Sequence, residues 1–267
     1  MSRISLAVTG ATGRMGRRII ALARQSEDFE LVAAIARADS PALAKDAGVL
    51  AGMGNIDLPI TFDLKPTPKV LIDFTQATAM RHWLKTCRDR RIAMVIGTTG
   101  LRANDQDAID QAAEEIPILQ APNMSLGINL LLKIVAEAAA ALGDDYDKEI
   151  VEMHHRLKKD APSGTAMALA QAILTAMGKT QDALVMNRHG DDCAPKRGEI
   201  GMHSGRLGDD VGRHTVYFAT SGERLEFNHI ATNRDTFVHG ALRAATWLVN
   251  QKPGRYTMAD VLKAQSA

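Results

Sequence analysis

The stretch ISLAVTGATGRMGRRII, residues 4–20, decides the fold. Its apolar start, Ile4 to Thr9, has the length and composition of a buried strand, and residues 13–26 read as a helix. Between them lies GATGRMG, residues 10–16. A strand, a glycine turn and a helix in that order can hold a dinucleotide. Gly10 permits a tight turn, Gly13 lets the backbone approach a pyrophosphate, and the helix start offers free N–H groups and partial positive charge. The spacing is GxxGxxG rather than GxGxxG, and a ligand-free turn is the plain alternative, so the rest of the chain must carry the reading.

Working outward, ELVAAIA, KVLIDFT, AMVIGTT and IPILQAP read as further buried strands, each short, mostly apolar and bounded by Gly, Pro or polar residues. Residues 77–90 and 103–115 read as helices between them. Strand and helix in alternation predict a parallel sheet with helices on its faces. Residues 1–124, completed by 236–267, are therefore expected to form a Rossmann-like, doubly wound α/β domain.

Beyond that the pattern changes. Residues 126–142 read as a helix, YDKEIVEMHH (146–155) as a strand, 163–178 as a helix and 187–200 as a long polar loop. Three strand-like runs follow, GMHSGRLG, RHTVYFATS and RLEFNHIAT, which are expected to pair as antiparallel neighbours. Residues 125–235 thus predict a second, α+β domain on a mixed sheet. Helices at 235–250 and 257–263 are expected to pack back on the first domain.

Composition narrows the function classes. Of 267 residues, 46% are hydrophobic and 24% charged, which is ordinary for a globular protein. Lys plus Arg number 32 against 31 for Asp plus Glu, so no global field would draw a nucleic-acid backbone. The apolar runs LVAAIA and VLIDF are too short to cross a bilayer, and no membrane span is expected. The first residues enter a strand directly, without a secretory pattern, so a cytoplasmic location is expected. Two cysteines, Cys87 and Cys193, build neither a disulfide framework nor a CxxC metal site. His189, Asp191, Asp192 and His203 lack a fixed ligand spacing, and no metal is expected.

Two further stretches carry chemistry. At the end of the second strand, where an acid would accept from a ribose 2′-OH, stands Ala36, followed by Arg37; this favours a 2′-phosphate and hence NADPH, with NADH possible through Asp39. In EMHHRLKKDAPSGTA (152–166), His154 and His155 point to opposite sides if extended. Ser163 or Asp160 can cap the helix that follows, and Gly164 and Thr165 present backbone N–H groups where a carboxylate can bind. Lys158 adds a full charge, and a histidine exchanges protons near neutrality. A capped helix with solvated lysines and a packed His pair is the competing reading.

GATGRMG at 10, IDFT at 72, VIGTTG at 95, APNMSLGIN at 121, EMHHRLKKDAPSGTA at 152, GRLGDDVGRHTV at 205 and ERLEFNHIATNRDTF at 223 together resemble the 4-hydroxy-tetrahydrodipicolinate reductase family, also called dihydrodipicolinate reductases, of lysine and diaminopimelate synthesis. The resemblance runs from residue 4 to about 262. It implies hydride transfer from NAD(P)H to a cyclic dicarboxylate, with proton donation. By this resemblance Gly10, Ala11, Thr12, Gly13, Arg14 and Met15 match the pyrophosphate turn, and Arg37 matches a further cofactor contact. Gly97, Thr98 and Thr99 match the loop near the nicotinamide, and Ala121, Pro122, Asn123 and Met124 a second cofactor segment. His154 and Lys158 match the catalytic pair, and His155, Ser163, Gly164 and Thr165 the substrate contacts. The resemblance also implies a homotetramer assembled through the second domain. A semialdehyde or homoserine dehydrogenase, or a noncatalytic NADPH sensor, are the rivals; the first needs a cysteine nucleophile with a convincing setting.

Overall fold

The computed structural model describes residues 2–264. In chain order the elements are β1 (Ile4–Thr9), α1 (Arg14–Gln25), β2 (Phe29–Ile35), α2 (Ala47–Leu50), β3 (Ile60–Thr61), β4 (Val70–Asp73), α3 (Ala77–Asp89), β5 (Ala93–Ile96), α4 (Ala103–Ala113) and β6 (Pro117–Gln120). They continue with α5 (Leu126–Leu142), β7 (Asp147–His154), α6 (Gly164–Ala176), β8 (Leu184–Met186), β9 (Ile200–Arg206), β10 (Gly212–Thr220), β11 (Glu223–Ala231), α7 (Asp235–Leu248), β12 (Gly254–Tyr256) and α8 (Met258–Lys263). The chain divides into two compact units. One runs to Leu126 and resumes at Asp235; the other is Gly127–Arg234.

The first unit holds a seven-stranded sheet in the order β12-β6-β5-β4-β1-β2-β3, parallel throughout. Side chains alternate between its faces, and both faces are covered. Leu6, Val8, Val70, Ile72 and Val95 share a core with Ile19 and Ile20 of α1 and Val238 and Ala241 of α7. Ala7, Leu71, Met94 and Ile96 share the other with Met80 and Leu84 of α3 and Ile109 of α4. Burial on both faces is why these strands read as unbroken apolar runs rather than alternating ones. The expected doubly wound fold is present. Its strand order reverses between β1 and β4, the switch point at which α/β sheets open a crevice beyond their carboxyl ends. Two short strands, β3 and β12, join the sheet without having shown a period in the sequence.

The second unit is a mixed five-stranded sheet in the order β11-β10-β7-β9-β8. The expectation that β9 and β10 are antiparallel neighbours fails: β7 lies between them, parallel to β9 and antiparallel to β10. The physical reason is the burial of β7. Lys148, Ile150, Glu152 and His154, every second residue, are all buried, which suits a central strand with both edges paired. The expected antiparallel pairing of β10 with β11 holds. Beneath the sheet Ile150, Met202, Val216 and Phe218 pack with Ile128, Leu131 and Val135 of α5 and Leu169 and Ile173 of α6.

The sequence reading of membrane-crossing length needs one correction. The segment Leu126–Asp145, α5 with the 3-10 turn after it, is long and apolar enough to cross a bilayer by length and composition, although LVAAIA and VLIDF are not. Its buried residues, Ile128, Leu131, Val135 and Ala139, recur at helical spacing against the second core, while Lys133 and Glu137 pair at 3.8 Å. That is the pattern of an amphipathic helix packed on a sheet.

Candidate active site

The residues expected to bind a dinucleotide are assembled at the carboxyl ends of β1, β4, β5 and β6. After β1, Gly10 adopts φ +71°, and a Cβ there would stand 2.5 Å from the carbonyl oxygen of Phe74. The Gly13 N–H closes the turn on the Gly10 carbonyl at 2.9 Å. A Cβ at Gly16 would stand 2.1 Å from that same carbonyl, so α1 can lie directly on the turn only with glycine there. Gly13 is the N-cap of α1; no side chain caps the helix and its first turn holds no acid, which leaves its N–H groups and positive dipole end to an anion. Ala11 is buried, Thr12 and Met15 are half-buried, and Gly13 and Arg14 are exposed. These features fit a pyrophosphate.

Around this turn a buried carboxyl ties three loops together. Asp73, at the end of β4 and fully enclosed, accepts from the hydroxyls of Thr9 at 2.6 Å, Thr75 at 2.8 Å and Thr98 at 2.5 Å. Thr98 Oγ1 also accepts from the Thr75 N–H at 2.9 Å. Gly97 lies beneath the Phe74 ring, where a Cβ would meet the ring at 2.3 Å. Thr99 is exposed beside it. After β6, the Ala121 N–H donates to the Ile96 carbonyl at 3.1 Å, and Asn123 Oδ1 accepts from the Ser125 N–H at 2.9 Å. Pro122 is exposed and Met124 buried. Past the end of β2, Ala36 is buried, while Arg37 is exposed and pairs with Asp39 at 3.3 Å.

The second unit gathers a different set at one end of its sheet. His154 closes β7 and is 9% exposed. Glu152, two residues earlier on the same face of the strand, is fully buried and meets His154 Nδ1 with Oε2 at 2.5 Å. Its other oxygen accepts from Arg206 Nη2 at 2.9 Å and from the Ser163 N–H at 3.2 Å. Ser163 proves to be the cap of α6: its Oγ accepts from the Ala166 N–H at 3.1 Å and lies 3.1 Å from His214 Nε2. His214, from β10, sits edge-on to His154 with ring centroids 5.2 Å apart.

Electrostatics separate these groups. Burial alone would push the Glu152 carboxyl up, but hydrogen bonds from His154, Arg206 and Ser204 outweigh it and hold the group at about 2. Burial, with the nearby charge of His154, pushes His214 down to about 4. His214 is therefore a neutral ring at working pH, and Glu152 a carboxylate.

The remaining sequence candidates sit in the connection from β7 to α6. The His155 N–H donates to the Asp210 carbonyl at 2.7 Å, and its side chain is half-buried, with a buried Nδ1 lacking a partner. Lys158 is half-buried and its Nζ bonds both carboxylate oxygens of Asp160. Gly164 begins α6, exposed, with nothing within 4 Å of where its Cβ would stand; Thr165 follows, half-buried. Sequence reasoning missed Glu152, Arg206 and His214. The first was legible as an acid two positions from His154 on a strand; the other two come from strands whose placement beside β7 no local pattern reveals.

The loop residues set aside as metal ligands do not gather. His203 Nε2 pairs with Glu149 at 2.7 Å, and His189 Nδ1 with the Asn187 carbonyl at 2.9 Å. Among the described residues, the group whose ligand atoms lie close enough to share an ion is Glu152, His154 and His214, within 4.8 Å. Arg206 already supplies a cation to the same carboxylate. Cys87 is buried with its thiol pushed up by burial, an inert setting rather than that of a nucleophile.

Residues 4–124 match the family model described as dihydrodipicolinate reductase, N-terminus, and residues 127–262 the one described as dihydrodipicolinate reductase, C-terminus. The chain is 45% identical over 267 residues to the 4-hydroxy-tetrahydrodipicolinate reductase of Myxococcus xanthus, covering 98% of each. It is 48% identical over 261 residues to the enzyme of that name from Alkalilimnicola ehrlichii, covering 96% of this chain and 98% of the other. Among solved structures, a dipicolinate-bound dihydrodipicolinate reductase from Paenisporosarcina sp. TG-14 is similar with a TM-score of 0.76 and 25% identity, over 96% of this chain and 98% of that one.

Proposed function

The chain belongs to the dihydrodipicolinate reductase family, and from that premise we propose how its own residues divide the work. It is an NAD(P)H-dependent oxidoreductase, a 4-hydroxy-tetrahydrodipicolinate reductase of lysine and diaminopimelate biosynthesis. The turn Gly10–Met15 seats the pyrophosphate, and Gly97–Thr99 with Ala121–Met124 border the nicotinamide end. When bound, the reduced pyridine nucleotide supplies a hydride. Arg37 favours the 2′-phosphate and hence NADPH; Asp39, paired with it at 3.3 Å, tempers that charge and leaves NADH usable.

In the second unit the substrate's carboxylates lie against Lys158 and the N–H groups of Gly164 and Thr165, with His155 and Ser163 beside them. His154 donates the proton that completes the reduction, and Lys158 clamps. The observation that carries this division is the setting of the two groups: His154 is buried beside Glu152 and His214, whereas Lys158 already holds a carboxylate, that of Asp160. A homotetramer through the second unit is part of the reading. It is supported by β11, an edge strand with Leu225 and Ile230 exposed. A cytoplasmic site of action accords with Cys87 and Cys193 both being free thiols.

One set of assays tests the reading. NADPH oxidation is followed with substrate freshly generated from aspartate semialdehyde and pyruvate, then repeated with NADH. The expected result is higher kcat/KM with NADPH, a preference that Arg37→Ala reduces; equal or better use of NADH overturns it. His154→Ala and Lys158→Ala should each depress kcat/KM by about 10²–10⁴-fold with NADPH affinity nearly intact. Loss of cofactor binding in either variant would refute the assigned roles.

A further inference from the structure

Glu152 takes no direct part in the hydride or proton transfer, yet its geometry constrains the reaction. An ionised carboxylate accepts hydrogen bonds and has none to give. Facing His154 at 2.5 Å, it therefore requires the hydrogen to sit on Nδ1. The other ring nitrogen, Nε2, faces Gly212, where an added Cβ would stand 3.0 Å away, so any side chain there would crowd that nitrogen. Arg206 and the Ser163 N–H hold the second carboxylate oxygen, which prevents Glu152 from turning away.

We propose that Glu152 is a positioning residue for the proton transfer: its carboxylate fixes His154 with a hydrogen on Nδ1 and so makes Nε2 the atom that gives and regains the proton. The proposal rests on the reading of His154 as proton donor. The Nε2–H bond breaks with its electron pair left on nitrogen, and the proton joins the substrate atom made electron-rich by hydride addition. Neutral His154 keeps its Nδ1–H bond to Glu152, and Nε2 takes a proton from water. A buried acceptor on the far nitrogen steadies the imidazolium before transfer and the correct tautomer after it.

The test combines kinetics with nitrogen-15 NMR of the full chain labelled at histidine. The His154 resonances are those missing from His154→Ala. In the wild type, the neutral ring is expected to show its hydrogen on Nδ1. Glu152→Gln, whose amide can present either an acceptor or a donor, should give a mixture of tautomers. Its kcat should fall by about 10²–10³-fold, with substrate KM and NADPH affinity within about twofold of wild type. A merely structural role would leave the tautomer unchanged. A wild-type neutral ring protonated on Nε2 overturns the proposal, as does a folded Glu152→Gln enzyme with kcat within about threefold of wild type. Should Glu152→Gln not fold, the wild-type spectrum decides alone. If His154→Ala retains full turnover, the donor assignment itself has failed; if His154→Ala is inactive and Glu152→Gln is not, only the role of Glu152 has.

Discussion

Lys158 Nζ lies 2.9 and 2.7 Å from the two carboxylate oxygens of Asp160, so the cation assigned to a substrate carboxylate already holds an anion from its own chain. The hydrogen bond from Lys158 keeps the Asp160 carboxyl below the usual carboxylate range. Asp160 is largely exposed, and such a pair is worth at most about 1 kcal/mol, a factor of about five. Asp160→Asn removes the competitor, and the substrate KM is expected to fall by up to that factor with kcat little changed. Steady-state kinetics decide; a raised KM would mean that Asp160 steers Lys158 rather than competing for it.

Two glycines that look alike in the sequence should respond oppositely to alanine. At Gly16 a Cβ would stand 2.1 Å from the Gly10 carbonyl oxygen and 2.8 Å from Ala11 Cα, so helix and turn must part. Overpacking of this kind costs about 1–3 kcal/mol, and NADPH affinity should drop with the thermal midpoint. At Gly164 a Cβ meets nothing within 4 Å, and the position is helical. Gly164→Ala should raise stability by about 0.4–1 kcal/mol while raising substrate KM, because the methyl group enters the space assigned to a carboxylate. Calorimetry beside a KM measurement separates the two effects; an unchanged KM means the substrate does not approach there.

The contrast between those glycines marks how far the sequence could be read. Gly10 and Gly13 announce themselves because strand, turn and helix are contiguous, and the local spacing contains the geometry. The boundaries of α5 and α7 follow from apolar periodicity in the same way. What the chain could not disclose is non-local: β7 inserts between β9 and β10, and that insertion carries Arg206 and His214 to Glu152 and His154. The role of Asp73 was hidden likewise, since two of its three threonine partners, Thr9 and Thr98, come from distant strand ends.

His214 should make the protein acid-sensitive in a defined window. Its side chain is 4% exposed, and burial, with His154, holds its pKa at about 4 against an ordinary 6.5; His229 and Lys158 also oppose its charge, and Glu152 favours it. Between those values the unfolded chain binds a proton that the folded chain refuses. Stability therefore falls as pH drops from about 6.5 to about 4, by an amount on the order of 3 kcal/mol. Glu152 acts lower: its contribution is complete above about 4.5 and is lost as pH falls toward about 2. His214→Asn should flatten the slope of urea midpoint against pH in the upper window and leave the lower one in place. An unchanged slope in the upper window would assign the sensitivity to another group.

Asp73 offers the corresponding test in the first unit. Its carboxyl accepts from Thr9, Thr75 and Thr98 with no solvent exposure, and those threonines sit at the ends of β1, β4 and β5. Asparagine keeps the shape but converts one acceptor oxygen into an NH2 donor, so at least one hydroxyl must turn round or lose its partner. A buried polar group left unpaired costs about 1–3 kcal/mol. The loop Gly97–Thr99 hangs on the Thr98 bond, so the loss should reach the cofactor as well as the fold. Asp73→Asn is expected to lower the thermal midpoint and weaken NADPH binding by several-fold, about 1 kcal/mol, while the substrate KM at saturating NADPH stays near wild type. Fluorescence titration of NADPH beside thermal unfolding reads both effects. A lowered midpoint with intact NADPH affinity would confine Asp73 to structure and detach the threonine loop from the cofactor.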